Sequence, residues 1–234
     1  MEVEVAAAKV SKWATSESGD TLEMIERPRG GLSFVLVDGQ RSGSSAKAVS
    51  NLVARKAITE LAEGVRDGAA ARAAHDYLYA FRRGKVSATL NIVSVDLETS
   101  TLVLSRNNPS PTIMIKADGQ VELLDEPSRA VGFHSRTKPV ISEFPLQAGQ
   151  LVVVYTDGLA HAGVNRGGPL DLSTQVSEMF VAGYGAQQMA DELLERALEL
   201  EDGRPRDDIS ILVLKVLPEE GGQVRRMMVH MPIA

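Results

Sequence analysis

Two apolar stretches of this chain run straight into an Asp-Gly pair: "LSFVLVDG", ending at Asp38-Gly39, and "LVVVYTDG", ending at Asp157-Gly158. Runs of Val, Leu and aromatic residues without polar alternation read as strands covered on both faces. A carboxylate at the end of such a strand is costly unless something pairs with it. A third acidic site, Asp207-Asp208, stands at the start of "DISILVLKVL", residues 208–217. Three core strands that each meet an acid require a fold that packs them, and a partner for the acids.

The order of elements narrows the fold. Up to about Val37 the pattern is of strands joined by turns at Ser18-Gly19-Asp20 and Pro28-Arg29-Gly30-Gly31. A helix is predicted over 42–63, with Ala46, Val49, Val53, Ala57 and Leu61 at helical spacing and serines 42, 44 and 45 offering N-caps. A second, over 68–83, sets Ala71, Ala74, Leu78 and Phe81 on one face. Strands follow at 87–96 and 101–106, then a hairpin over 112–124 about Asp118-Gly119, then 140–144 and 150–156. A third helix spans 186–201, and the strand 208–217, apolar on both faces, reads as central. This is not the strict βαβα alternation of a doubly wound sheet. It predicts an α+β protein in which antiparallel sheets stack and helices cover them.

At 234 residues the chain suits one well-buried domain. That domain is placed at 1–217, with 218–234 as an extension of unknown role. Hydrophobic residues at 44% and charged residues at 24% are those of an ordinary globular protein. A net charge of −6 with scattered basic residues argues against a nucleic-acid or membrane-surface binder. The absence of cysteine excludes disulfides, thiolate metal sites and a cysteine nucleophile. "MEVEVAAAKV" has acids where a secretory signal is positive, and no apolar run approaches the roughly 20 residues of a membrane span. A cytoplasmic protein is expected.

If the three acid-tipped strands are neighbours, Asp38, Asp157 and Asp207-Asp208 meet at one edge. Clustered carboxylates repel one another unless a cation lies between them, and all-oxygen sets suit Mg²⁺ or Mn²⁺. Glycine after each Asp lets the chain turn sharply and a ligand approach. Asp-Gly is also an ordinary turn, and on pattern alone both readings stand at 38–39 and 157–158; Asp118-Gly119 reads as a hairpin turn. Other chemistries lack their signatures. The four histidines have no zinc spacing, there is no GxxxxGK[ST] loop, and no G-x-S-x-G elbow. An aspartyl-phosphate enzyme of the haloacid dehalogenase type needs a nucleophilic Asp two residues earlier, where this chain has Leu36 and Tyr155.

The ordered set "SGD" (18–20), "VLVDGQRSG" (35–43), "SATL" (87–90), "VVVYTDGL" (152–159) and "RDDISILVLKV" (206–216) resembles the metal-dependent type 2C serine/threonine protein phosphatases, in particular their stage II sporulation branch. The resemblance implies a β-sandwich of two antiparallel sheets flanked by helices, with two Mn²⁺ or Mg²⁺ ions at one end. It implies that Asp38 bridges both ions, that the Gly39 carbonyl ligates one, that Asp157 and Asp207 hold the other, and that Asp20 stands in the second ion's shell. Asp207 matches the ligand position, with Asp208 the substitute. A bridging water made acidic by two cations would attack phosphorus in line, with no covalent intermediate.

The chain departs from the family's Asp-Gly-x-Gly-His-Gly at Gln40-Arg41-Ser42-Gly43, and from its Gly-His at Asn107-Asn108. The Ser-Gly in place of His-Gly resembles the feedback phosphatases that reset bacterial stressosomes. The partners this implies are phosphorylated antisigma-antagonist-fold proteins of a stressosome. A phosphatase of a free antisigma-factor antagonist, a non-catalytic phosphoprotein binder and a hydrolase of small phosphate esters are the alternatives.

Overall fold

The structure is a computed structural model, and it describes residues 1–219 and 224–232. Two five-stranded antiparallel sheets face each other, and helices cover both outer faces. The first sheet runs β1 (Glu2–Val10), β10 (Ile209–Leu217), β9 (Leu151–Tyr155), β6 (Thr112–Ile115), β7 (Val121–Leu124). The second runs β2 (Asp20–Glu26), β3 (Gly31–Gly39), β4 (Ala88–Asp96), β5 (Thr101–Asn107), β8 (Val140–Pro145). The α+β sandwich expected from the order of elements is what forms. The strand 208–217 does lie inside its sheet, between β1 and β9.

Period-2 alternation divides the core into three layers. Phe34 and Leu36 of β3, Val93 and Val95 of β4, Val152 and Val154 of β9, and Leu212, Leu214 and Val216 of β10 meet between the sheets. Val35, Val37, Leu90 and Ile92 face the opposite way, onto α1 (Ser44–Ala62) and α2 (Asp67–Arg82). Val153, Ile211 and Val213 face α4 (Leu172–Val181) and α5 (Ala186–Leu200). The strands therefore read apolar on both faces because both faces are covered.

Some details depart from expectation. The serines at 42, 44 and 45 cap nothing: Gly43 is the N-cap of α1, and no side chain caps its free N–H groups. Phe81 is 58% exposed, stacked on Tyr77 rather than packed inward with Leu78. Helix α4 was not expected, although Asp171 caps it by accepting from the Thr174 N–H and its buried Leu172, Val176 and Met179 follow helical spacing. A short helix, α3 (Asp157–Ala160), begins directly at the second Asp-Gly pair. Part of the expected 218–234 extension lies outside the described residues; 224–232 has no regular structure. Among the described residues no helix is long and apolar enough to cross a membrane.

Candidate metal centre

The acids come together for a reason that follows from the alternation. In β3 the inward row Phe34, Leu36 continues to Asp38; in β2 the row Met24, Leu22 continues to Asp20. Asp20 and Asp38 are partners in the β2–β3 register. In β9 the row Val152, Val154 continues to Thr156, and in β10 Leu214, Leu212 continues back to Ser210 and Asp208. All four inner rows turn polar at the same end of the sandwich. The acid-tipped strands are divided between the sheets: β3 lies in one, and β9 and β10, paired with each other, in the other. The acids meet across the gap between the sheets.

Asp20 is fully buried and joins the sheets. Its Oδ2 accepts from Ser210 Oγ at 2.6 Å and from Thr156 Oγ1 at 3.1 Å, while Oδ1 is buried with no partner. Burial raises its carboxyl to about 6, against the pull of the Ser210 hydrogen bond and Lys9. Asp38 is pushed further, to about 9, first by burial and then by the charges of Asp20, Asp157 and Asp207. Asp207 is raised by burial, opposed by the Asp208 N–H that its own carboxylate accepts and reinforced by Asp157. The four acids therefore share one electrostatic neighbourhood that lacks enough positive charge.

Asp208 has a different job. Its Oδ1 accepts the Lys12 N–H at 2.9 Å and its Oδ2 the Gly19 N–H at 2.8 Å, so both oxygens are spent on backbone. It clamps the loop 11–19 against β10, and leaves Asp207, which is exposed, as the acid with lone pairs to offer. Asp157, Asp207, Gly158, His161 and Arg206 line a cavity of about 190 Å³ beside the cluster. A larger cleft of about 510 Å³ lies along α1, lined by Asn51, Arg55, Lys56, Thr59 and Tyr77, with no carboxylate in it.

The glycines act by size, not by turning. A Cβ on Gly39 would stand 2.1 Å from the Ala46 carbonyl oxygen, and one on Gly158 2.2 Å from that of Asp208. Neither glycine has a positive φ. Gly119, by contrast, sits at φ 84 with open space around it, which is the hairpin turn predicted there. Between Gly39 and α1, Arg41 holds φ 77, a left-handed conformation unusual for a side chain of its size.

Two lysines at the cluster escaped the sequence reading. Lys9 Nζ and Lys47 Nζ each donate to the Asp20 carbonyl oxygen at 2.5 Å, and Lys47 also reaches Thr21 Oγ1 at 3.2 Å. Burial and the neighbouring Lys47 bring the Lys9 ammonium down to about 8. Thr156 and Ser210 also went unremarked; their signal is a polar residue at the end of an apolar inward row. Of the histidines, His75 is buried and its Nδ1 accepts the Gly132 N–H at 3.0 Å, a structural role.

The donor set fits hard divalent cations. An orphaned buried carboxylate oxygen on Asp20 and an Asp38 driven to hold its proton both call for positive charge that the protein does not supply. Among the described residues no three His, Cys, Asp or Glu side chains stand, as they lie, close enough together to hold a metal ion between them.

Comparison with known proteins agrees with the fold. The phosphatase domain and regulatory fragment of SpoIIE from Bacillus subtilis superposes with a TM-score of 0.78 at 22% identity, over 92% of this chain and 64% of that one. The chain thus spans just under two thirds of that relative. The catalytic domain of the serine/threonine phosphatase PstP with two manganese ions matches at 0.69 and 17% identity, over 92% and 99%. RsbX in complex with magnesium matches at 0.67 and 15%, over 91% and 94%. A chain solved in work on the bacterial stressosome matches at 0.70 and 16%, over 92% and 100%. No curated protein matches. The profile of the stage II sporulation protein E (SpoIIE) family matches residues 28–217, most of the chain. The chain belongs to that SpoIIE family, and its fold is the one seen in type 2C phosphatase structures.

Proposed function

We propose that this chain is a metal-dependent serine/threonine phosphoprotein phosphatase that acts in the cytoplasm on phosphorylated antisigma-antagonist-fold proteins, resetting a stressosome. The observation that carries the reading is the meeting of Asp20, Asp38, Asp157 and Asp207 at one end of the sandwich, with Asp38 pushed to about 9. Asp38, the Gly39 carbonyl, Asp157 and Asp207 would hold two Mn²⁺ or Mg²⁺ ions, with Asp20 in their shell. Such ions supply Lewis acidity and a water activated for in-line attack on phosphorus. Thr156 and Ser210 fix Asp20, and Asp208 fixes the loop that carries Lys12. Magnesium bound to RsbX and manganese bound to PstP support the choice of ion, and the match to a stressosome chain supports the substrate class.

The test is release of inorganic phosphate from a phosphorylated stressosome scaffold protein. It is expected to require Mn²⁺ or Mg²⁺ and to be lost in Asp38→Asn. Full activity in Asp38→Asn would sink the assignment. Calorimetry separates the enzyme from a non-catalytic binder: the absence of Mn²⁺ binding at micromolar metal would favour the binder.

A further inference from the structure

The chain's single tryptophan, Trp13, is 57% exposed. It stands on the 11–19 loop beside the carboxylates, and its presentation is rigid. The Trp13 N–H donates to the Pro205 carbonyl at 2.8 Å, two residues before Asp207. The preceding N–H, of Lys12, is held by Asp208. Thr15 closes the turn from the other side, its N–H and its Oγ1 both donating to the Lys12 carbonyl, at 3.1 and 2.7 Å. Ala14 completes the turn at φ 61. An exposed indole on a backbone held in this way is the kind of aromatic anchor that dominates protein interfaces, because little backbone freedom is lost when it is covered.

Two cations stand beside it. The Arg204 guanidinium lies over the indole, 5.2 Å from the ring centroid. Lys12 lies near enough to Asp207 to oppose the rise in its pKa. Among the described residues neither of these two cations has an ion-pair partner, whereas Arg206 is held by Glu201 at 3.1 Å. These two cations stand out on a protein whose net charge is −6, with the exposed Glu17 further along the same loop. Unpaired cations around an exposed aromatic, at the mouth of a carboxylate centre, steer and hold an acidic partner.

We infer that Trp13, Arg204 and Lys12 form a docking ledge for the phosphoprotein substrate: it takes a phosphorylated segment with acidic residues and one large apolar side chain, which covers the indole. This rests on the phosphatase reading above, and the experiment keeps the two apart. A single tryptophan makes its emission a direct reporter of the ledge. The probes are synthetic phosphoserine peptides free of tryptophan, one with Leu and Glu flanking the phosphoserine and one with Lys replacing each Glu.

In the Asp38→Asn variant, which keeps the ledge without turnover, the Leu/Glu peptide is expected to shift Trp13 emission saturably. The Lys peptide is expected to bind at least about tenfold more weakly, and added salt to weaken the Leu/Glu peptide selectively. In the otherwise unaltered protein, Trp13→Ala and Arg204→Glu are each expected to lower kcat/KM for the Leu/Glu peptide about tenfold, mainly through KM. Turnover of p-nitrophenyl phosphate, too small to reach the ledge, stays within about twofold. Emission that ignores both peptides, equal affinity for the two, or equal losses on peptide and p-nitrophenyl phosphate would overturn the ledge. A shift that depends on protein concentration without peptide would also overturn it, assigning the surface to self-association. A saturable, charge-selective shift in a protein that hydrolyses none of these phosphates would support the ledge and reject the phosphatase reading.

Discussion

At the scale of single residues, the acids of the centre are destabilising until something pairs with them. Asp38 has an ordinary value of 3.8 and rises to about 9 in the fold. The folded state therefore binds a proton that the unfolded chain releases, and stability falls as pH rises from about 4 towards 9. Thermal melts of the metal-free protein should show this decline. Asp38→Asn should flatten it and melt higher at pH 8, while abolishing phosphate release. Asp207→Asn is expected to weaken Mn²⁺ binding with little loss of stability, and Asp208→Asn the reverse, measured by calorimetry and melts on the same variants. Gly39→Ala should cost about 3 kcal/mol in urea denaturation, because its Cβ meets backbone that cannot give. Gly119→Ala meets nothing and should cost only the about 1–2 kcal/mol of its left-handed conformation. The apolar runs before Asp38 and Asp157 left a turn and a ligand position equally open; in the fold neither following glycine has the positive φ of a tight turn. That glycine was needed there for closeness rather than rotation was not legible, because Ala46 and Asp208 arrive from other elements.

At the scale of elements, β2 and α2 are joined by a buried ion pair. Arg27 Nη1 meets Asp67 Oδ2 at 2.8 Å, with both side chains nearly inaccessible, and Arg27 Nη2 also reaches the Val65 carbonyl. The other Asp67 oxygen accepts from Ser94 Oγ on β4. Asp67→Ala leaves a buried guanidinium unpaired and should cost about 3–5 kcal/mol, while Arg27→Met with Asp67→Leu should recover most of it. Chemical denaturation of the single and double variants checks this. None of this pairing shows in the sequence, where Arg27 and Asp67 stand in a predicted strand and beside a predicted helix. Strands and long helices were legible from their periods. Helix α4 was overlooked because its short apolar set follows a glycine-rich loop, and Phe81 was misassigned because helical spacing does not say how wide the buried face is.

At the scale of the whole molecule, ligand binding and folding are one equilibrium. Mn²⁺ that binds only the folded centre stabilises it by about 2.7 kcal/mol at a concentration 100 times its Kd. A chelator should therefore lower the melting temperature, and Asp38→Asn should be nearly indifferent to it. Lys9 and Lys47, both hydrogen-bonded to Asp20, keep some positive charge at the centre without the ion.

Chain order adds a constraint of time. In the second sheet, β2, β3 and β4 each pair with the next strand in the chain and can form as each is synthesised, while β5 waits for β8. The first sheet is closed by β1 against β10, Glu2 opposite Leu217. Asp207, Asp208 and Ser210 travel with that late strand, so a nascent chain that stops short of it has hairpins and helices but no assembled carboxylate centre. Such long-range closure is slow. Activity can therefore begin only after β10 has been translated, and a pulse-labelled, ribosome-tethered chain should acquire Mn²⁺-dependent protease resistance only then.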